Sequence, residues 1–274
     1  MTSAKRPLWR QALPPQVFWI LLATCCLACP VAYLLLDKPV FDWQIERGFV
    51  PFSNLWVDAF RLLGKAWLLV WLLLVWVAAT GRWRLPFRTL LALLILAAPL
   101  NAVKLLVNRP RPSDKILAMQ MSPETSAPSV EFRGLSFPSG DTASAVTVAA
   151  ALGTAVAWPW ATAALVAATG VGVMRVVDLA HHPSDVLAGA AFGIAAALAA
   201  TRLARRWAPP AIEWWGRKVA ILVTVAMPVA IVFTDGTETL LLLLKTYIPL
   251  VLAACLARWL YRHAKTAATN RRGK

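Results

Sequence analysis

The sequence predicts an all-α protein, a polytopic bundle that crosses the membrane about eight times. Of its 274 residues, 59% are hydrophobic and only 15% are charged, whereas a soluble domain carries about a quarter charged residues. The apolar residues are concentrated in runs long enough to cross a bilayer, which takes about 20 residues per helix. A soluble globular fold is therefore not expected.

Eight apolar runs are the candidate spans, and no internal repeat is evident. In chain order they are Val17–Leu36, Leu63–Thr80, Phe87–Val107, Thr142–Trp158, Trp160–Val177, Ser184–Leu203, Val219–Phe233 and Leu240–Leu260. The second run has the least definite start, because the amphipathic segment Phe52–Lys65 precedes it and can lie at the membrane interface. The first run has a basic front but no small-residue cleavage site, which indicates a retained anchor.

The distribution of charge predicts the orientation of these spans, since cytoplasmic loops carry an excess of Lys and Arg. With the N-terminus inside, the inner segments hold most of the 28 basic residues and only one of the 13 acids, Glu213. An even number of spans returns the basic tail to the same side. We therefore expect a multi-pass protein of a bacterial inner membrane, with both termini cytoplasmic. The same topology explains the net charge of +15 without a nucleic-acid partner.

The four cysteines all lie in apolar runs without a nearby His or carboxylate. Although Cys26 and Cys29 form a C-x-x-C, they are expected to be small core residues rather than a metal or redox site.

Three polar patches map to the predicted outer side. The first, Lys104–Pro112, ends the third span, and the second, Phe137–Asp141, begins the fourth. The third, Arg175–Asp185, covers the short turn between the fifth and sixth spans. A candidate site is therefore expected where these three segments meet.

Five residues of the patches suit a compact multivalent anion. Lys104, Arg111 and Arg175 are cations beside the interface, and both side-chain types bind phosphate oxygens. Ser139 and Gly140 lead directly into a helix, whose free N–H groups attract anions. The pattern predicts a phosphate site.

His181 and Asp185 add a possible nucleophile. Their spacing of four residues would bring them together across one helical turn. A carboxylate that holds one imidazole nitrogen leaves the other nitrogen free to attack phosphorus. Cations nearby can stabilise the charge that develops, without a metal.

Together the patches resemble the signature of the type 2 phosphatidic acid phosphatase superfamily, which also includes the vanadium haloperoxidases. That signature is K-x6-R-P, P-S-G-H and S-R-x5-H-x3-D, and this chain has K-x6-R-P, P-S-G and R-x5-H-x3-D in the same order. The resemblance implies that His181 forms a phosphohistidine and that Asp185 orients it. It further implies no metal or other cofactor, and a phosphate held by Lys104, Arg111, Ser139, Gly140 and Arg175.

The resemblance also implies three regions. Residues 1–59 would be a cytoplasmic tail, the first span and an outer loop, and residues 60–205 the phosphatase core. Residues 206–274 would add two helices and a basic tail to the usual six-helix arrangement.

Two positions depart from the family pattern. Met174 replaces a serine, and Asp141 stands where the family has a second histidine, thought to protonate the leaving oxygen. An unperturbed Asp has a pKa near 3.9 and is a poor acid at neutral pH. Three interpretations are open: Asp141 is a working catalytic acid, His182 supplies the proton, or the substrate is a diphosphate that needs none.

Two further charged residues belong to no motif. Arg109 is expected to be a headgroup contact or a loop anchor, and Asp178 to form a structural ion pair.

The resulting expectation is an enzyme that hydrolyses a phosphate monoester or diphosphate on a membrane lipid at the periplasmic face. Undecaprenyl diphosphate, phosphatidic acid, phosphatidylglycerol phosphate and lipid A phosphates are all candidate substrates, and the sequence does not choose among them or indicate an oligomeric state. The alternatives are a lipid phosphotransferase and a non-catalytic protein that binds or transports lipid phosphates.

Overall fold

The computed structural model describes residues 11–47, 55–80, 82–121 and 135–207. These ranges contain nine helices and no strand. The helices are α1 (Pro15–Leu35), α2 (Asp37–Glu46), α3 (Leu55–Leu63), α4 (Ala66–Thr80), α5 (Arg84–Val107), α6 (Pro112–Met121), α7 (Gly140–Gly153), α8 (Trp158–Val177) and α9 (Pro183–Trp207). The last two predicted spans, Val219–Phe233 and Leu240–Leu260, lie outside the described residues.

Six of the helices correspond to the first six predicted spans, namely α1, α4, α5, α7, α8 and α9. Within the described ranges, four helical segments are long and apolar enough to cross a membrane: Pro15–Leu35, Arg84–Ile116, Trp158–Val177 and Pro183–Arg205. The apolar part of α4, Ala66–Ala78, is shorter. The prediction of an all-α membrane protein is confirmed.

The short helix α7 lies at the centre of the bundle. Eleven of its 14 residues are buried, and α5, α8 and α9 pack around it. Its sequence is rich in Ala, Ser, Thr and Gly, which are the small residues that allow helices in membranes to approach closely. The buried, small-residue surface of α7 therefore explains how three longer helices can surround it.

Two glycines of α9 form the closest of these approaches. A Cβ atom at Gly189 would lie 2.4 Å from the carbonyl oxygen of Ser139, and one at Gly193 would lie 2.6 Å from that of Ala143. The two glycines are four residues apart and share one face of α9, as in other G-x-x-x-G contacts. This contact fixes the start of α7, where the second polar patch lies, against α9.

The helices α2 and α3 do not correspond to predicted spans. Within α2, Asp37 and Gln44 are buried, and Gln44 Nε2 donates to the Val176 carbonyl at the end of α8 (2.9 Å). The amphipathic segment predicted before the second span is helical as α3, which packs against α8. Both helices therefore lie near the end of α8 that carries the third polar patch.

Candidate active site

Backbone hydrogen bonds hold the three polar patches together. Each joins two segments that are distant in sequence, and each is 2.9 Å long. They run from Ser136 N–H to the Arg109 carbonyl, from Ser113 N–H to the Leu179 carbonyl, and from Ser139 N–H to the Asp185 carbonyl. The patches form one site, as their predicted topology required.

His181 lies between α8 and α9 and is 3% exposed. Its Nδ1 is 2.7 Å from the carbonyl oxygen of Ser136. Because a carbonyl oxygen only accepts, Nδ1 must carry the hydrogen and donate it. In the neutral ring, Nε2 is then the nitrogen with the free lone pair, which is the form of imidazole that can act as a nucleophile.

Asp185 does not hold the imidazole directly, contrary to the expectation from its spacing. Its Oδ2 is 3.8 Å from His181 Nδ1, too far for a hydrogen bond. The reason is that α9 begins at Pro183, so His181 precedes the helix and the one-turn geometry does not apply. Instead, Asp185 Oδ2 accepts a 2.5 Å hydrogen bond from Ser136 Oγ. Ser136 therefore bridges the two residues, through its hydroxyl to Asp185 and through its carbonyl to His181.

Burial lowers the pKa of His181 below its usual value. Asp185 acts in the opposite direction, while the positive charges of Arg175 and Lys104 lower the pKa further. Desolvation and nearby cations both disfavour imidazolium. The site thus favours a neutral His181 before substrate binds.

Arg109 is the cation that binds Asp185. Its guanidinium donates to Asp185 Oδ1 at 2.7 Å, to Asp37 Oδ2 at 2.7 Å and to Ser184 Oγ at 2.8 Å. The Arg109 side chain is only 15% exposed, so it is a buried structural anchor. The loop-anchor interpretation of Arg109 is confirmed, but its carboxylate partners were not expected. Asp37 could have been suspected as an acid that directly follows the first span, a signal too common to be specific.

The three predicted phosphate-binding cations lie near one another. Lys104 Nζ donates to the Leu135 carbonyl at 3.0 Å. It also lies close enough to Arg111 and Arg175 to interact electrostatically with both. Within the described part of the chain, the Arg111 guanidinium makes no hydrogen bond or ion pair. The mutual repulsion of such cations is relieved when an anion binds among them.

Ser139 and Gly140 form the start of α7. Ser139 is fully buried and is the N-cap of the helix, where its hydroxyl accepts from Thr142 N–H at 3.5 Å and contacts Thr142 Oγ1 at 2.9 Å. Its hydroxyl is therefore engaged in capping. A Cβ atom at Gly140 would lie 3.8 Å from Lys104 Nζ. Since first-turn N–H groups have no partner within their helix, α7 offers donors beside Lys104.

Asp141 is contacted by two cations. Its Oδ2 is 3.3 Å from Arg175 Nε and 3.4 Å from Lys65 Nζ. Arg175 Nε is buried and, among the described residues, forms no aligned hydrogen bond, so its contact with Asp141 is one of charge alone. Lys65 belongs to none of the three patches and was not predicted to be part of the site.

Asp178 forms the structural ion pair that was expected. It accepts two 2.7 Å hydrogen bonds from Arg61, and its Oδ2 is 3.5 Å from Arg175 Nη1. This arrangement links Arg175 to α3.

His182 lies on the other side of Asp185, with its Nδ1 3.2 Å from Asp185 Oδ2. It lines a cavity of about 280 Å³ together with Tyr33, Asp37, Phe41 and Arg109, whereas none of the three predicted phosphate-binding cations lines that cavity. In the described ranges, no group of three or more His, Cys, Asp or Glu side chains is placed to hold a metal ion.

Comparison with known proteins identifies the region that contains the site. Residues 86–209 match the family model described as PAP2 superfamily. This region holds all three patches, and over it the match agrees with the family resemblance of the motifs. No curated protein matches the sequence. The crystal structure of LpxE from Aquifex aeolicus is 24% identical, and the match covers 61% of this chain and 95% of that chain with a TM-score of 0.47.

Proposed function

Because residues 86–209 carry a region of the PAP2 superfamily, we propose that this chain is a membrane lipid phosphatase with His181 as its nucleophile. The family match supports a membrane lipid phosphatase in general. The hydrogen bond from His181 Nδ1 to the Ser136 carbonyl supports the assignment of the nucleophile, because it leaves Nε2 unprotonated in a ring that the charges of Arg175 and Lys104 reach.

The reaction proceeds in two displacements at phosphorus. In the first, a bond forms between His181 Nε2 and phosphorus, and the bond from phosphorus to the leaving oxygen breaks with its electron pair on that oxygen. In the second, the oxygen of water bonds to the phosphorus of the phosphohistidine, the nitrogen–phosphorus bond breaks, and its electron pair returns to Nε2. The proton that the water loses leaves with the inorganic phosphate or passes to solvent. Lys104, Arg111, Arg175 and the first N–H groups of α7 stabilise the phosphoryl oxygens in both steps.

A diphosphate is the substrate class that this site supports best. The leaving oxygen of a phosphate monoester becomes a basic alkoxide and needs a proton, whereas a diphosphate releases a weakly basic phosphate. The carboxylate of Asp141 pairs with two cations, Arg175 and Lys65. A carboxylate held in ion pairs is poorly placed to donate a proton. His182 lines a different cavity. A prenyl diphosphate such as undecaprenyl diphosphate is therefore favoured over phosphatidic acid, phosphatidylglycerol phosphate and lipid A phosphates.

Phosphate release from purified protein tests the phosphatase function. Wild-type protein should release inorganic phosphate from at least one lipid in a panel of mono- and diphosphates, and His181→Asn should release none. The variant Lys38→Gln, on the exposed surface of α2, is the control and should match wild type. Transfer of phosphate only to an added acceptor lipid would indicate a phosphotransferase, and binding without turnover would indicate a non-catalytic protein.

The proposed site faces the periplasm, with both termini in the cytoplasm, because the charge distribution favours that orientation. Ser113 is exposed beside the site and Arg205 lies near the opposite end of α9. In a background without the native cysteines, Ser113→Cys in intact inner-membrane spheroplasts should react with an impermeant thiol reagent. Arg205→Cys should react only after permeabilisation, and the reverse pattern would contradict this orientation.

A further inference from the structure

Lys65 is held at the site by the turn between α3 and α4. Its backbone N–H donates to the Leu62 carbonyl at 2.8 Å, and its carbonyl accepts from Leu69 N–H at 3.2 Å. The preceding residue packs tightly against the start of α7, since a Cβ atom at Gly64 would lie 2.7 Å from Asp141 Cβ. The backbone contacts therefore fix the side from which Lys65 reaches Asp141.

A chain of contacts leads from the buried nucleophile outward to Lys65. His181 N–H donates to the Arg175 carbonyl at 3.1 Å, Arg175 Nε lies 3.3 Å from Asp141 Oδ2, and Lys65 Nζ lies 3.4 Å from the same oxygen. The exposed fraction of the side chain rises along this path, from 3% for His181 to 12%, 19% and 43% for Arg175, Asp141 and Lys65. Lys65 is thus the most exposed of these four residues.

This order in depth determines which part of a substrate Lys65 can meet. The phosphoryl group that is attacked must lie deep, within bonding distance of His181, and the rest of the headgroup must extend toward the open side. There an anionic leaving group would be repelled by Asp141 alone. The ammonium group of Lys65 offsets that repulsion and offers three donors.

We propose that Lys65 binds the phosphate that remains on the lipid when a lipid diphosphate is cleaved, and so determines the preference for diphosphates. This proposal rests on the proposed phosphatase function. As His181 Nε2 bonds to the terminal phosphorus, the bond to the bridging oxygen breaks and leaves its electron pair there. That oxygen gains negative charge next to the Lys65 ammonium, which stabilises the departing lipid monophosphate. A lipid monophosphate substrate has no second phosphate at this position.

The ratio of kcat/KM for a prenyl diphosphate to that for the prenyl monophosphate of equal chain length tests this role. Lys65→Gln should lower the ratio by about tenfold to a hundredfold, the loss expected for one hydrogen bond between charged groups. Lys65→Arg retains the positive charge, so its ratio of kcat/KM values should stay close to that of wild type. The matched control Lys38→Gln removes an exposed lysine from α2 and should leave the ratio unchanged.

Two results would overturn the proposal for Lys65. An unchanged ratio in Lys65→Gln would show that the ammonium group does not contact the second phosphate. An equal loss of kcat/KM on the diphosphate and the monophosphate would show that Lys65 has a general structural or electrostatic role instead. Failure of the phosphatase function itself is a different observation, since wild-type protein would then release no phosphate from either lipid.

Discussion

Replacing Arg109 by methionine removes the central cation of a buried network while keeping most of the side-chain volume. Arg109 binds two carboxylates at 2.7 Å, those of Asp37 and Asp185. The side chains of these two acids are 6% and 0% exposed. Without Arg109, both acids would remain buried with a reduced set of partners and would repel each other.

Loss of one member of a buried ion pair typically destabilises a protein by about 3–5 kcal/mol. For a chain of this size, each kcal/mol lowers Tm by about 2–4 °C. We therefore expect Arg109→Met to lower the Tm of the detergent-solubilised protein by about 6–20 °C. Arg109→Lys should have a Tm between those of wild type and Arg109→Met, because one ammonium group cannot reproduce the forked contacts of a guanidinium.

Thermal unfolding followed by circular dichroism measures these shifts. Lys38→Gln is the matched control, since it breaks only the exposed Lys38–Asp42 pair, and water screens such surface pairs so that they contribute little to stability. Combining Arg109→Met with Asp37→Asn should recover part of the loss, because one of the two buried charges is then gone. A Tm for Arg109→Met within about 2 °C of wild type would refute the idea that this network holds the site together.

Three further results are expected. The neutral form of His181 is the proposed nucleophile, and the pKa of this residue is lowered by burial. The kcat/KM for a diphosphate should therefore fall with decreasing pH at a midpoint below about 6.5, and a midpoint above 7 would contradict the proposal. In steady-state assays, Asp141→Asn should lower kcat/KM for a prenyl diphosphate less than about threefold, and Asp141→His should selectively raise kcat/KM for the monophosphate, because general acid catalysis contributes about 10²–10⁴-fold where a proton is needed. If wild-type protein instead prefers the monophosphate and Asp141→Asn abolishes that activity, Asp141 is a catalytic acid. Gly189→Ala should lower both Tm and activity, because its Cβ would lie 2.4 Å from the Ser139 carbonyl oxygen, and wild-type values for both would contradict that packing.

The sequence predicted the spans and the motif residues because both depend on local patterns. Runs of apolar residues are visible without a structure, and the spacing of Lys104, Arg111, Arg175 and His181 lies within short segments. The three polar segments were expected to meet because the predicted topology places all of them on the same side of the membrane. The core helices and the clustering of the three cations were therefore predictable.

The residues that complete the site were not predictable, since their roles arise from contacts between distant segments. Ser136 holds both His181 and Asp185, yet it lies in a loop without a distinctive pattern. Lys65 reaches the site only because a glycine lets its turn pack against α7. The His181–Asp185 geometry was predicted wrongly, because the sequence does not show that α9 begins between the two residues.

Trapping the phosphoenzyme tests the nucleophile most directly. Rapid quenching of wild-type protein with a lipid diphosphate labelled at its terminal phosphate should yield protein-bound label that is stable to alkali and lost in acid, as expected for phosphohistidine. His182→Asn should retain the label, and His181→Asn should carry none although its Tm stays near that of wild type. Label on His181→Asn, or wild-type turnover without any protein-bound label under rapid quench, would contradict His181 as the nucleophile.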